Sequence, residues 1–327
     1  MHSLGDKSAS SSIKLEPMEI NTYKLLLLPD GRRVATTKQH KTPTTHERPP
    51  EYAQRLARIK SVCESNHPIA RKLRTQSLEV SRNIIVDDEY KILYCAVGKI
   101  ACTNWRRVFL SLYDPARFPD PRNITIKSAH TVKLRQLSDY KWDEQVHRLD
   151  TYYKFMFARH PFERLASAYR SKFTYDLPYN RQYHRHYGTR IIEYYRPDAS
   201  PQSLAEGKDV RFDEFLKFLA DPESDSVDQN RHWSHVYHAC NPCQITYDLV
   251  GKMETLERDA AQVIREAGVP SLISFPTRED AKYQNKMASE IVGELMAGVA
   301  PSLVQQIYRV YELDFSMFGY EWPIRGT

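Results

Sequence analysis

Two stretches of this chain pass from an unbroken apolar run, through a short polar turn, into a helical stripe. Ile92 to Val97 is continuously apolar, the pattern of a strand buried on both faces. Past Gly98, the residues Trp105, Val108, Phe109 and Leu112 recur at i, i+3, i+4 and i+7, one face of a helix. Tyr153 to Ala158 is a second strand-like run, and Pro161 suits the first turn of the helix after it. Phe162, Leu165, Ala166, Tyr169 and Phe173 give that helix its apolar face. The same reading predicts helices over Glu51–Val62, from Phe212 to a stop near Pro222, over Leu256–Ala267 and onward from Pro301, and a strand over Leu249–Met253. Strands alternating with helices predict an α/β fold with a central, mainly parallel sheet flanked by helices. No internal repeat interrupts it.

The two turns carry the chemistry. Gly98 permits a backbone turn that other residues resist, and Thr103 or Asn104 is a sensible cap for the helix that follows. Free amides and the positive end of that helix, with the Lys99 ammonium and a hydroxyl, suit an anion. The spacing is not GxxxxGK[ST], so this is not a Walker A loop. Taken alone, the segment reads equally as a plain strand–turn–helix with a solvated lysine. In the second turn Arg159 sits at the carboxyl end of its strand, where open α/β sheets bind ligands. Its planar fork matches phosphate oxygens; its bland alternative is a surface ion pair. Ser167 lies off the apolar stripe, free to meet a ligand. Two such sites suit a nucleotide with phosphates at both ends of its ribose.

Composition changes the picture little. The 327 residues, 41% hydrophobic and 11% aromatic, suffice for a large core. A formal charge of +6 suits an acidic ligand or glycan, and by itself also nucleic acid. Residues 1–50 are rich in Ser, Thr, Lys and Pro, which predicts a disordered stem-like segment, with the globular domain over 51–327. The one apolar cluster there, Leu25–Leu28, is far short of the roughly 20 residues of a membrane helix and too short for a signal-peptide core. Cys240 and Cys243 form a lone CxxC, a weak zinc signal, and disulfides and free thiols stand level. Cys95 reads as a small core residue. No convincing metal cluster appears.

Together the two segments resemble the carbohydrate sulfotransferases that use 3'-phosphoadenosine 5'-phosphosulfate (PAPS), most closely the Golgi family of chondroitin and dermatan 4-O-sulfotransferases and the HNK-1 sulfotransferase. The stretches Asn230–Ala260 and Tyr311–Tyr320 extend the likeness, which covers roughly Pro50 to the C-terminus. It implies a P-loop-like nucleotide-binding sulfotransferase fold and PAPS as co-substrate without a metal. The 5'-phosphosulfate would sit on Lys99, Ile100, Ala101, Cys102, Thr103 and Asn104, and the 3'-phosphate on Arg159 and Ser167. Sulfate would pass to a glycan hydroxyl, most simply by 4-O-sulfation of GalNAc in chondroitin-type chains; HNK-1-type sulfation is the alternative. The family usually has proline where this chain has Gly98, so a catalytically impaired glycan- or nucleotide-binding relative is the other alternative. The resemblance also implies life in the Golgi lumen. With no anchor or signal visible, a soluble or shortened form is expected. The sequon Asn123-Ile124-Thr125 is consistent with lumenal life.

A transfer of this kind needs a base for the acceptor hydroxyl. His130, expected just after a strand at Ile124–Lys127, is the first choice because its placement resembles that of the base in related sulfotransferases. His232 is the second. Between the two halves, Tyr179–Arg196 interleaves Arg181, Arg185, Arg190 and Arg196 with His184, His186 and tyrosines. It reads either as a solvated loop or as a glycan reader, with rings against sugars and arginines against acidic groups. A nucleotide kinase would need a Walker A loop and an acid for Mg²⁺, and a nucleic-acid binder would not need two phosphate turns. The partner expected is a glycan rather than nucleic acid.

Overall fold

The structure is a computed structural model that describes residues 48–78, 82–224, 227–228, 230–270, 272–277 and 288–321, with the backbone of two strands at 24–27 and 33–36. Those two strands pair antiparallel, with Lys24 opposite Thr36. Of the expected disordered segment, 48–50 are also described, Pro50 opening a helix; the remainder, Leu28 included, lies outside the described residues.

Four strands form the central sheet: β1 (Ile84–Asp87), β2 (Ile92–Cys95), β3 (Tyr153–Ala158) and β4 (Leu249–Lys252), side by side in that order. β1 runs antiparallel to β2; the other pairs are parallel. The sheet is thus mainly parallel, as the alternation predicts. β1 is an element the sequence reading lacks. Its four buried residues end in Asp87, whose carboxylate accepts the Tyr90 amide at 2.8 Å and turns the chain into β2.

Ten helices matter for the argument: α1 (Pro50–Glu64), α2 (Cys102–Tyr113), α3 (Ile126–Thr131), α4 (Pro161–Phe173), α5 (Thr189–Tyr195), α6 (Pro201–Glu206), α7 (Phe212–Ala220), α8 (Val236–Cys240), α9 (Leu256–Glu266) and α10 (Pro301–Phe318). The predicted stripe of α2 is buried. Trp105 packs on Phe155 of β3 with ring centroids 4.5 Å apart, and Tyr94 of β2 lies 4.9 Å from the same ring, a tight aromatic contact that fixes α2 on the sheet. A second core lies among α4, α7 and α10, built on Phe162, Phe215, Trp233 and Phe315.

Two expectations are corrected. Ile124–Lys127 is not a strand: the Thr125 hydroxyl accepts the Ser128 amide at 3.0 Å and starts helix α3. Tyr179–Arg196 is not a loop. It coils through a 3-10 turn (Pro178–Asn180), a helical turn (Arg181–Tyr183) and a π turn (His184–Gly188) into α5. Arg196 there is structural, held by Glu214 at 2.7 Å and Asp209 at 2.6 Å.

The cysteines are also settled differently. Cys95 is bonded to Cys240, and Cys63 of α1 to Cys243, so Cys95 is not a plain core thiol and the CxxC is not a metal pair. Among the described residues no His, Cys, Asp and Glu group is arranged to hold a metal. Both bridges pin the segment after His232, one to β2 and one to α1. They close loops of 145 and 180 residues, worth up to about 5 kcal/mol each in the chain-entropy account. Two structural disulfides fit an oxidising compartment such as the lumen of the secretory pathway. No helix among the described residues is long and apolar enough to cross a membrane.

Candidate active site

The turn after β2 is built differently from the expectation. Lys99 (φ 68°) and Ala101 (φ 52°) carry the left-handed backbone, whereas Gly98 does not. Gly98 serves close approach: a Cβ there would stand 2.6 Å from the Arg231 carbonyl oxygen. α2 begins at Cys102 with Ala101 as N-cap and no capping side chain. Neither Thr103 nor Asn104 caps it. The first backbone donors of α2 are therefore left for a ligand. The Asn104 side chain is spent elsewhere, donating to the Pro276 carbonyl at 2.9 Å and accepting from Arg107 at 3.2 Å. Ile100 is buried and closes the turn on Val97. Cys102 is a half-buried free thiol.

Thr103 meets His130: its hydroxyl lies 3.0 Å from Nε2. Arg106 of α2 donates to the carbonyls of Ala129 and Val132, which holds the His130 segment against the turn. His232 approaches from another part of the chain. Its Nδ1 lies 2.9 Å from Asn230 Oδ1, and its backbone amide donates to the same oxygen at 3.0 Å. That oxygen only accepts, so Nδ1 carries the proton and Nε2 keeps a bare lone pair. The Tyr183 hydroxyl lies 3.2 Å from Nδ1.

Charge unites these groups. Burial holds the Lys99 ammonium down to about 8, with Lys172, Arg159 and Arg170 adding repulsion against a favourable effect of Cys102. Lys172 of α4 is likewise pushed down to about 8, by burial and then Arg231, and lies 4.3 Å above the Tyr183 ring. Both histidines sit below their ordinary value. For His130 the causes are desolvation, then Arg106, Arg231, Lys172 and Lys99; for His232 they are desolvation, then Lys172, Arg231, Lys99 and Arg164. Two neutral imidazoles thus share one site with a concentration of positive charge, the inverse of what an isolated fold tolerates well. An incoming polyanion relieves it.

Arg159 adjoins the same turn. It donates to the Lys99 carbonyl at 3.2 Å and pairs with Glu163 at 3.3 Å, with one-tenth of its side chain exposed. Ser167 is half-buried on α4 and makes no side-chain hydrogen bond among the described residues. The structure thus joins Lys99, Thr103, His130 and His232 at one centre and brings Arg159 to its edge. It adds Lys172, Arg231 and Arg164, which sequence reasoning missed. Arg164 is the most telling. It is 2% exposed and donates to the carbonyls of Gly98 (3.0 Å), Ser234 and Arg231 (3.3 Å), bolting the lysine turn to the His232 segment. Lys172 follows from nothing but its place on α4, one residue before the stripe's Phe173.

The far end of the His232 segment is fixed by α10. Buried Asp314 accepts the amides of Val236 (2.9 Å) and Tyr237 (3.1 Å), and the Tyr311 hydroxyl donates to the Trp233 carbonyl at 2.6 Å. His235 faces Asp228 Oδ1 through Nδ1 and the Val310 carbonyl through Nε2, each at 2.9 Å, so both nitrogens donate and the ring is an imidazolium. Burial opposes that charge, but Asp228, Asp314 and the Val310 carbonyl together raise the ring above its ordinary value.

A cationic turn with left-handed backbone, an uncapped helix end and two neutral imidazoles on an α/β sheet suit an anionic ligand. Comparison gives the class: the chain matches the sulfotransferase family over residues 82–321, and it belongs to that family. Among its relatives, carbohydrate sulfotransferase 11 of Rattus norvegicus is 40% identical over 274 residues, 83% of this chain and 76% of the relative. Carbohydrate sulfotransferase 14 of Homo sapiens is 39% identical over 242 residues, 74% of this chain and 61% of the relative. Carbohydrate sulfotransferase 12 of Mus musculus is 34% identical over 313 residues, 88% of this chain and 72% of the relative. No solved structure matches the chain. The family implies a PAPS donor. The residues present fit one: the uncapped amides of α2 and the Lys99 ammonium, which has no ion pair among the described residues, form a cradle for a phosphosulfate.

Proposed function

We propose that this protein transfers the sulfuryl group of PAPS to a hydroxyl of a glycan in the Golgi lumen, by 4-O-sulfation of GalNAc in chondroitin- or dermatan-type chains. The carrying observation is the Lys99 turn, whose left-handed backbone and uncapped helix end face two neutral histidines. The sulfated-chain assignment draws on the resemblance of the two turns and the carbohydrate sulfotransferase relatives.

In this reading the acceptor oxygen attacks sulfur as the bond from sulfur to the 5'-phosphate oxygen breaks. Lys99 and the α2 amides of Cys102, Thr103 and Asn104 stabilise the charge that builds on the departing phosphate. Arg159 and Ser167 hold the 3'-phosphate. His130 takes the acceptor proton. In the tautomer that donates Nε2–H to the Thr103 hydroxyl, the Nδ1 lone pair is left for that task, and the residue is exposed. A second reading gives the proton to His232, favoured by its bare Nε2 and by the Asn230 bond that fixes its tautomer. Incubation with labelled PAPS and desulfated chondroitin tests the function. Labelled chain with sulfate at O4 of GalNAc is expected; bisphosphate binding without any transfer to chondroitin or to an HNK-1-type acceptor would identify an impaired relative.

A further inference from the structure

The π turn encloses a cavity of about 280 Å³ lined by Arg181, His184, Arg185, Ala205, Glu206 and Lys208. Arg181 and Arg185 stand four residues apart, on one face of the coil. Both are exposed, and neither has an ion pair among the described residues. Lys208 answers Glu206 and Asp176 at 3.3 Å each, so the carboxylate in the cavity wall is already matched while the two guanidinium groups are not. His184 is 2% exposed, and among the described residues neither ring nitrogen completes a hydrogen bond. Burial holds the ring below its ordinary value, against smaller favourable effects of Asp176 and the Lys172 carbonyl. A buried imidazole with two unmatched nitrogens beside two unmatched arginines is arranged for an anion.

The cavity wall is tightly packed, and its coil adjoins the His232 segment. Gly207 (φ 63°) packs on the π turn so closely that a Cβ there would stand 2.2 Å from the His184 carbonyl oxygen, and one on Gly188 would stand 2.0 Å from that of Gly207. This contact seats the end of α6 as the cavity's far wall. Tyr183, between Arg181 and Arg185 in sequence, contacts His232 at 3.2 Å. The cavity therefore lies around the same coil from His232, about one helix width or roughly 10 Å away. A short oligosaccharide covers that span.

We propose that this cavity is a remote acceptor subsite, holding the acidic group of a sugar unit other than the one that receives sulfate. The proposal rests on the glycan-acceptor reading above. It names the anion's chemistry, a carboxylate or a sulfate ester, and the experiment separates the two sources.

The test uses the full chain, wild type and the Arg181→Ala/Arg185→Ala double variant, with adenosine 3',5'-bisphosphate present. Binding of desulfated chondroitin oligosaccharide is measured at several salt concentrations. The variant should bind on the order of tenfold more weakly, with a shallower salt dependence. In turnover KM for the glycan should rise by a similar factor while kcat and bisphosphate affinity hold. Carboxyl-reduced, desulfated chondroitin should bind wild type and variant alike. A wild-type preference that returns on carboxyl-reduced but sulfated chains assigns the anion to a sulfate ester. The proposal is overturned if the variant binds every one of these chains as tightly as wild type, or if wild type binds none. Charge-dependent binding by a wild type that transfers no sulfate would break the transferase reading and leave the subsite standing.

Discussion

The two strand–turn–helix units look alike in sequence and do different work. After β2, the turn has left-handed residues at Lys99 and Ala101, an uncapped helix and an ammonium with no ion pair among the described residues. After β3, the turn is relaxed: Pro161 opens α4 at its first position, and Arg159 is already engaged by Glu163 and by the Lys99 carbonyl. One turn later Arg164 reaches back to hold Gly98. The second unit is thus partly a bracket for the first. The same pattern of apolar run and stripe builds both; unsatisfied groups distinguish the first turn, while the second both braces it and offers Arg159.

The largest effect should come from the base. His130→Ala should lower kcat by about 10² to 10⁴-fold while bisphosphate affinity holds. If His232→Ala alone does this, the second reading replaces the first. Next comes the strained turn. Lys99→Ala should cost on the order of a hundredfold in kcat with the fold intact, because it removes charge facing the departing phosphate. The same lysine sets a pH limb. Its free-enzyme value is pushed down to about 8, so the ammonium is present below that pH and lost above it. Lys172 follows the same course. kcat/KM for PAPS should therefore fall as pH rises through about 8, and a profile that stays flat contradicts the assignment.

The bracket should show itself in stability instead. Arg164→Ala leaves the buried carbonyls of Gly98 and Ser234, and the partly buried one of Arg231, without this donor and should lower unfolding free energy by about 3–5 kcal/mol in denaturant titration. Loss of activity with stability unchanged would mean that Arg164 touches ligand rather than framework.

What the sequence disclosed follows from this contrast. Long apolar runs and helical stripes are local, so β2, β3, α2 and α4 were legible, as were Lys99 and Arg159 at the strand ends. The four-residue β1 was too short to stand out. Arg164 and Lys172 carry no local mark: a cation on an amphipathic helix reads as solvated until distant packing covers it, and Arg231 sits in an exposed turn that no periodicity marks. The pairing of Cys95 with Cys240 depends on a contact 145 residues away. The π turn was hidden because Gly207, outside the stretch itself, packs against it.

The central claim is that the two turns hold the two ends of one nucleotide. Calorimetric binding of adenosine 3',5'-bisphosphate and of adenosine 5'-phosphate to wild type, Arg159→Ala and Ser167→Ala tests it directly. The account predicts that both variants lose affinity for the bisphosphate, by roughly tenfold for the arginine, and keep that for the 5'-phosphate nearly unchanged. Equal weakening for the two ligands would contradict it and reduce the second turn to a support.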